Sequence, residues 1–147
     1  MPFLLEVPKL LLVYDVGYGA LKNVDTLIEL LKSKGVEVVV DVRAFPKSKK
    51  PGFSGDELKG ILEVNGIKYV WLGDRLGGYR SEGYEKYMES DAFRSGMKIL
   101  LDVISKEKAC LLCLEKRRRY CHRRFIVNEL KKLGFEVRDL VEDREDV

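Results

Sequence analysis

Leu10-Leu-Leu-Val-Tyr-Asp-Val16, closed by Gly17-Tyr18-Gly19, is an apolar run without alternation. A strand with one solvated face alternates polar and apolar side chains, whereas a strand covered on both faces does not. The run therefore predicts a buried parallel strand ending in a glycine turn. Working outward, Val24, Leu27, Ile28, Leu30 and Leu31 recur at helical spacing, with Asn23 placed to cap the start and Gly35 to close the end. Val36 to Val42 reads as a second buried strand, rich in β-branched residues. Segment 43–55 contains Pro46, Pro51, Gly52 and Gly55 and reads as a loop. Asp56 to Asn65 predicts a short helix ending at Gly66, and Ile67 to Leu72 a third strand. Gly73 to Gly83 reads as a second glycine-rich loop. Tyr84 to about Lys106 is helical, broken near Ser90-Asp91, where Asp91 can cap the second part. Ala109 to Leu114 predicts a fourth strand, Cys121 to Leu133 a helix closed by Gly134, and Phe135 to Leu140 a fifth strand at a sheet edge.

Strand and helix alternate throughout, with no internal repeat and no linker. This predicts a single α/β domain over 1–147: a layered sheet of about five mainly parallel strands, right-handed crossovers, and helices on both faces. The 147 residues and 46% hydrophobic content suit one core. A net charge of +3 is too mild to make the whole molecule a polyanion binder, but the charge is uneven. Three cysteines give no disulfide framework and fit a reducing, cytoplasmic setting. The run at Leu10 to Val13 follows no cationic leader and is far shorter than a membrane span, which needs about 20 residues. The absence of glutamine and the 35% charged residues lean toward a thermophile-like composition.

Parallel sheets bind ligands beyond the carboxyl ends of their strands. Here those ends are Asp15 to Gly19, Asp41 to Ser48, Leu72 to Arg80 and Cys113 to Arg123, which hold most of the glycine, cysteine and polar content. Between Lys116 and Arg124 lie six cations and no acid, around Cys121 and the only histidine, His122. A helix start there favours anions and would lower a nearby thiol pKa. Cys113-x5-Arg119 has the spacing of a cysteine-phosphatase loop, but the loop has no glycine to let it curl, and Glu115 would repel phosphate. Zinc is the rival: Cys110, Cys113, Cys121 and His122 are potential ligands. Cys110 and Cys113 fall on opposite faces of a strand, and Cys121 and His122 diverge if both are helical. No metal and no cofactor are therefore expected. Asp41 and Arg43 share one side of their strand, either as rim chemistry or as a structural ion pair. Tyr18, Tyr69, Trp71, Tyr79, Tyr84 and Tyr87 lie near these loops and either stack on bases or pack the core.

The segments Tyr14-Asp-Val-Gly-Tyr-Gly19, Val40-Asp-Val-Arg43 with Pro46 and Ser48, Leu72-Gly73 with Leu76-Gly77-Gly78, Cys113-Leu-Glu115 and Cys121-His-Arg123 together resemble the family catalogued as domain of unknown function 488. They occur in that family's order and cover almost the whole chain. The resemblance implies an α/β domain with its polar motifs gathered at one site, and it brings no agreed reaction. Carried over by motif, the site residues are Asp41, Arg43, Ser48, Cys113, Glu115, Cys121, His122 and Arg123. The chain departs from the family's pattern in two places. Its first strand ends Tyr-Asp-Val-Gly where threonine or serine and isoleucine are commoner, and the loop before Cys121 is unusually rich in arginine.

The leading expectation is an enzyme for a phosphate-bearing or other small anionic substrate. Arg43, Ser48, Arg123 and the helix start would bind the anion, and Asp41 would act at the rim. Glu115 and His122 would exchange protons, and Cys113 or Cys121 would be the nucleophile or tune the site. The alternative is a nucleic-acid binding or processing domain whose Lys47, Lys49, Lys50, Arg117, Arg118, Arg119 and Arg124 contact phosphates. A pocket ringed by few cations favours the first, a broad exposed basic stripe the second.

Overall fold

The computed structural model describes residues 11–147, so Leu10 of the opening run lies outside them. Five strands form one sheet: β1 (Leu12–Gly17), β2 (Val38–Asp41), β3 (Lys68–Trp71), β4 (Ala109–Cys113) and β5 (Glu136–Asp139). All pairings are parallel, in the order β3-β2-β4-β1-β5, which puts β5 at an edge. Six helices join them: α1 (Val24–Ser33), α2 (Gly55–Val64), α3 (Gly73–Leu76), α4 (Tyr84–Tyr87), α5 (Asp91–Lys106) and α6 (Arg123–Lys132). The layered α/β fold read from the sequence is the one observed.

The missing alternation in the strands has its cause in two apolar layers. On one face Leu27, Ile28 and Leu31 of α1 and Leu58 and Leu62 of α2 pack on Tyr14, Val16, Val39, Cys110 and Leu112. On the other, Leu76, Tyr87, Phe93, Met97, Leu100, Ile126 and Leu130 from α3 to α6 pack on Val13, Val40, Leu111, Cys113 and Val137. Each fully buried side chain of this kind contributes about 1.5–3 kcal/mol relative to exposure. Cys110 and Cys113 thus face opposite layers, as strand alternation requires.

Helix ends follow local chemistry. Asn23 Oδ1 accepts the Thr26 N–H at 3.0 Å, and Gly35, Gly66 and Gly134 close α1, α2 and α6 at φ of 69°, 75° and 98°. Three sequence expectations need correction. Ser90, not Asp91, caps α5, its hydroxyl accepting the Phe93 N–H at 3.2 Å. The segment read as a second glycine loop begins with α3, because Leu76 is drawn wholly into the core. The last helix starts at Arg123 rather than Cys121, because Cys121 is extended at φ −124° and ψ 144° and sends its sulfur into the core.

The topology also picks out one end of one strand. α1 and α2 leave β1 and β2 for one face, while α6 leaves β4, which lies between them, for the other. The chain diverges around the carboxyl end of β4, and a divergence of this kind opens a crevice.

Candidate functional site

Beyond the end of β4 the backbone of one loop lies directly on its neighbours. Gly17 pairs with Cys113, and a Cβ on Gly17 would overlap the Glu115 carbonyl. The Gly19 N–H donates to Leu114 O at 2.9 Å. Across the crevice, a Cβ on Gly73 would overlap the Arg43 carbonyl. These glycines answer to close approach rather than to a bound phosphate.

Two buried carboxylates brace the crevice. Asp41 accepts from Arg43 Nε at 2.9 Å, Arg43 Nη2 at 2.7 Å and the Tyr69 hydroxyl at 2.5 Å, while Arg43 Nη1 donates to Phe53 O at 2.7 Å. Burial alone would work against the Arg43 charge, but the Asp41 carboxylate outweighs it and the guanidinium stays charged. Asp41 is fully buried beneath Arg43. The structure therefore realises the ion-pair reading of Asp41 and Arg43, with Arg43 alone reaching the crevice.

The second carboxylate is Asp15, which sequence reasoning left off the list of site residues. It accepts from Arg118 Nε at 2.8 Å, Arg118 Nη2 at 2.6 Å and Arg123 Nε at 2.9 Å. Arg123 Nη1 continues to Glu115 O at 2.8 Å, and Arg118 Nη1 to Glu145 O at 2.6 Å. Asp15 and Arg123 have no exposed surface. The signal for this hub was present: an acid inside an apolar strand must find a cationic partner.

The reactive groups converge at the mouth. His122 Nε2 lies 2.9 Å from Val42 O, which can only accept, so Nε2 carries a proton and Nδ1 is the ring nitrogen turned to the cysteines. Nδ1 lies 3.9 Å from both Cys113 Sγ and Cys121 Sγ. The Arg123 N–H donates to Cys121 Sγ at 3.5 Å. The two thiols are split: the contact with Cys121, then burial, pushes the Cys113 thiol up, while the contact with Cys113, then His122 and Arg123, pulls Cys121 down. Gly78 makes room for the imidazole, since a Cβ there would sit 3.1 Å from Nδ1. The expectation that Cys121 and His122 diverge is thus corrected. With helix α6 starting two residues later, their side chains turn to one point.

Cys113, Cys121, His122, Glu115 and Arg43 line one cleft of about 440 Å³, together with Lys47, Tyr18, Phe45, Tyr79 and Tyr120. Several expected members are elsewhere. Arg123 is not an anion ligand on the surface but a buried brace. The Ser48 hydroxyl accepts the Lys50 N–H at 3.1 Å and shapes its own loop. Arg118, expected to contact nucleic acid, is buried on Asp15. Lys50 donates to Tyr18 O at 3.3 Å and to Leu21 O. Arg117 approaches Glu142 at 4.0 Å, and Arg124 donates to Cys121 O at 3.2 Å. Arg119 lies over the Tyr120 ring, so it does not close a phosphatase-type loop onto Cys113. Lys47 and Lys49 are exposed. Of the aromatic candidates, Tyr18 stacks on Phe53, and Tyr84 and Tyr87 pack with Phe93. Tyr79 is 89% exposed at the cleft beside Phe45, which the sequence reading passed over.

Among the described residues, no helix is long and apolar enough to cross a membrane. Neither the curated proteins nor the solved structures yield a significant match. The family description "Domain of unknown function DUF488" matches residues 23–130, which include β2 to β4 and the Cys113, Cys121 and His122 cluster. The match spans most of the chain, and the chain belongs to the DUF488 family.

Proposed function

We propose that the chain is an enzyme for a phosphate-bearing or other anionic substrate, bound and transformed in the cleft at the end of β4. One observation carries this reading: Cys113, Cys121 and Nδ1 of His122 meet in a cleft that also holds the cations Arg43 and Lys47. Arg43 is held rigidly by Asp41, which suits positioning of a charged group. Lys47 is exposed at the same cleft and adds a second cation. Glu115, exposed at the wall, is placed to exchange a proton with a bound molecule. The exposed Phe45 and Tyr79 rings, 5.9 Å apart, offer a stacking surface for a planar part of the substrate.

The test is binding of inorganic phosphate and of nucleoside monophosphates, followed by backbone NMR shifts. Saturable shifts at Lys47, Gly78 and Leu114, weakened about tenfold by Lys47→Ala, are expected for loss of a charge-assisted contact. Arg43→Ala is a poor test because it would strand Asp41. Absence of saturable shifts at the cleft, or shifts indifferent to Lys47→Ala and Glu115→Ala, would remove the reading.

A second reading, a nucleic-acid processing domain, is favoured by the exposed Phe45, Tyr79 and Tyr120 rings that line the cleft and by the exposed cations Lys47, Lys49 and Arg119.

A further inference from the structure

Three donors of zinc-binding type meet at the cleft wall. The ligand atoms of Cys113, Cys121 and His122 all lie within 4.8 Å of one another. A tetrahedral Zn²⁺ with Zn–S of about 2.3 Å and Zn–N of about 2.0–2.1 Å places sulfur and nitrogen about 3.6 Å apart, and two sulfurs about 3.8 Å apart. The observed nitrogen–sulfur separations are 3.9 Å, so small side-chain rotations close the set. Adjacent residues rarely share an ion. Here Cys121 is extended while His122 is already helical at φ −59° and ψ −21°, and that break turns both side chains inward.

The surroundings match what a metal ligand needs. Metal-bound histidines donate their second ring N–H to a fixed acceptor, and Val42 O is that acceptor. The Arg123 N–H already points at the Cys121 sulfur. Asp15, through Arg123 and Arg118, holds the loop that carries Cys121 and His122. Among the described residues the cluster holds no fourth histidine, cysteine or carboxylate, and all three donors line the cleft. Structural zinc sites are closed by four protein ligands, whereas catalytic ones keep one position open.

We propose that Cys113, Cys121 and His122 bind one Zn²⁺, with the fourth coordination position open to the cleft. Bound there, the ion would polarise a substrate oxygen or acidify a water molecule. The thiolates would then serve as ligands rather than as nucleophiles. Only this catalytic role rests on the reading of the cleft as an active site; metal binding stands or falls separately.

The experiment uses the full chain, stripped of metal under reducing, anaerobic conditions and titrated with Co²⁺. One equivalent should produce the visible bands of tetrahedral cobalt and near-ultraviolet thiolate-to-cobalt charge transfer, and Zn²⁺ should bleach both. Cys113→Ser, Cys121→Ser and His122→Ala should each weaken binding at least about tenfold. Cys110→Ser, on the other face of β4, should not. A wild-type chain that shows only the weak octahedral spectrum overturns the proposal, whatever the variants do. Bands lost equally in Cys110→Ser and Cys113→Ser overturn it too. Cobalt bands without phosphate binding would leave the metal site and remove the anion-substrate reading, and phosphate binding without bands would do the reverse.

Discussion

Asp15 shows how much one side chain decides at this site. Its carboxylate pairs with two buried guanidinium groups, and these groups set the path of the loop bearing Cys121 and His122. Breaking a buried pair costs far more than the pair's net worth, because the stranded charge stays buried. Asp15→Asn keeps the shape and removes the charge, so it should cost about 3–5 kcal/mol in chemical denaturation. Asp102→Asn breaks the exposed pair with Lys106 and should cost under about 0.5 kcal/mol. Equal losses in the two variants would mean that the hub does not brace the fold. Arg123 belongs to the same argument. Its cationic character was plain in the sequence, but its destination was not, because a guanidinium reads alike whether it waits for a ligand or is already paired.

At the scale of elements, the strands were the most legible part. β1, β2 and β4 are buried on both faces, so their apolar runs carried their own signature. Helices α1 and α2 were legible from spacing and from their glycine stops. What could not be read was where a helix begins when its first residues serve the core. Cys121 and His122 fit a helical pattern, and only the pull of the Cys113 side of the sheet shows that they stand outside it. The case against zinc rested on the divergence that pattern implies and on Cys110, which faces the other layer and is not part of the cluster. Gly60 gives an element-scale prediction of the opposite kind. It sits inside α2, exposed, and a Cβ there meets nothing within 4 Å. Glycine in a helix interior costs about 0.5–1 kcal/mol relative to alanine. Gly60→Ala should raise stability by that amount and leave Co²⁺ binding unchanged. A lower denaturation midpoint would show that α2 needs the glycine for a reason its surroundings do not reveal.

For the whole molecule, formal charge misleads and paired charge informs. The chain has 27 lysines and arginines against 24 acids, and its basic segments look like a phosphate-binding stripe on paper. In the fold, Arg43, Arg118 and Arg123 are buried on Asp41 and Asp15, and Lys50 is turned onto backbone carbonyls. Of the seven cations expected to contact nucleic acid, Lys47, Lys49 and Arg119 are the exposed ones. Each phosphate neutralised on a single strand adds about −0.7 to the slope of log affinity against log salt. Three contacts give a slope near about −2, where all seven cations of the basic segments would give about −5. Titration of a labelled oligonucleotide across a salt series separates the cases. A slope near −2 that Lys47→Ala and Lys49→Ala each make shallower by about 0.7 would support a strand lying across the cleft mouth. A slope near −5 would require Arg118 to leave Asp15, and the loop carrying Cys121 and His122 would have to open with it. No measurable binding at low salt would remove the nucleic-acid reading and leave the cleft to a small anion.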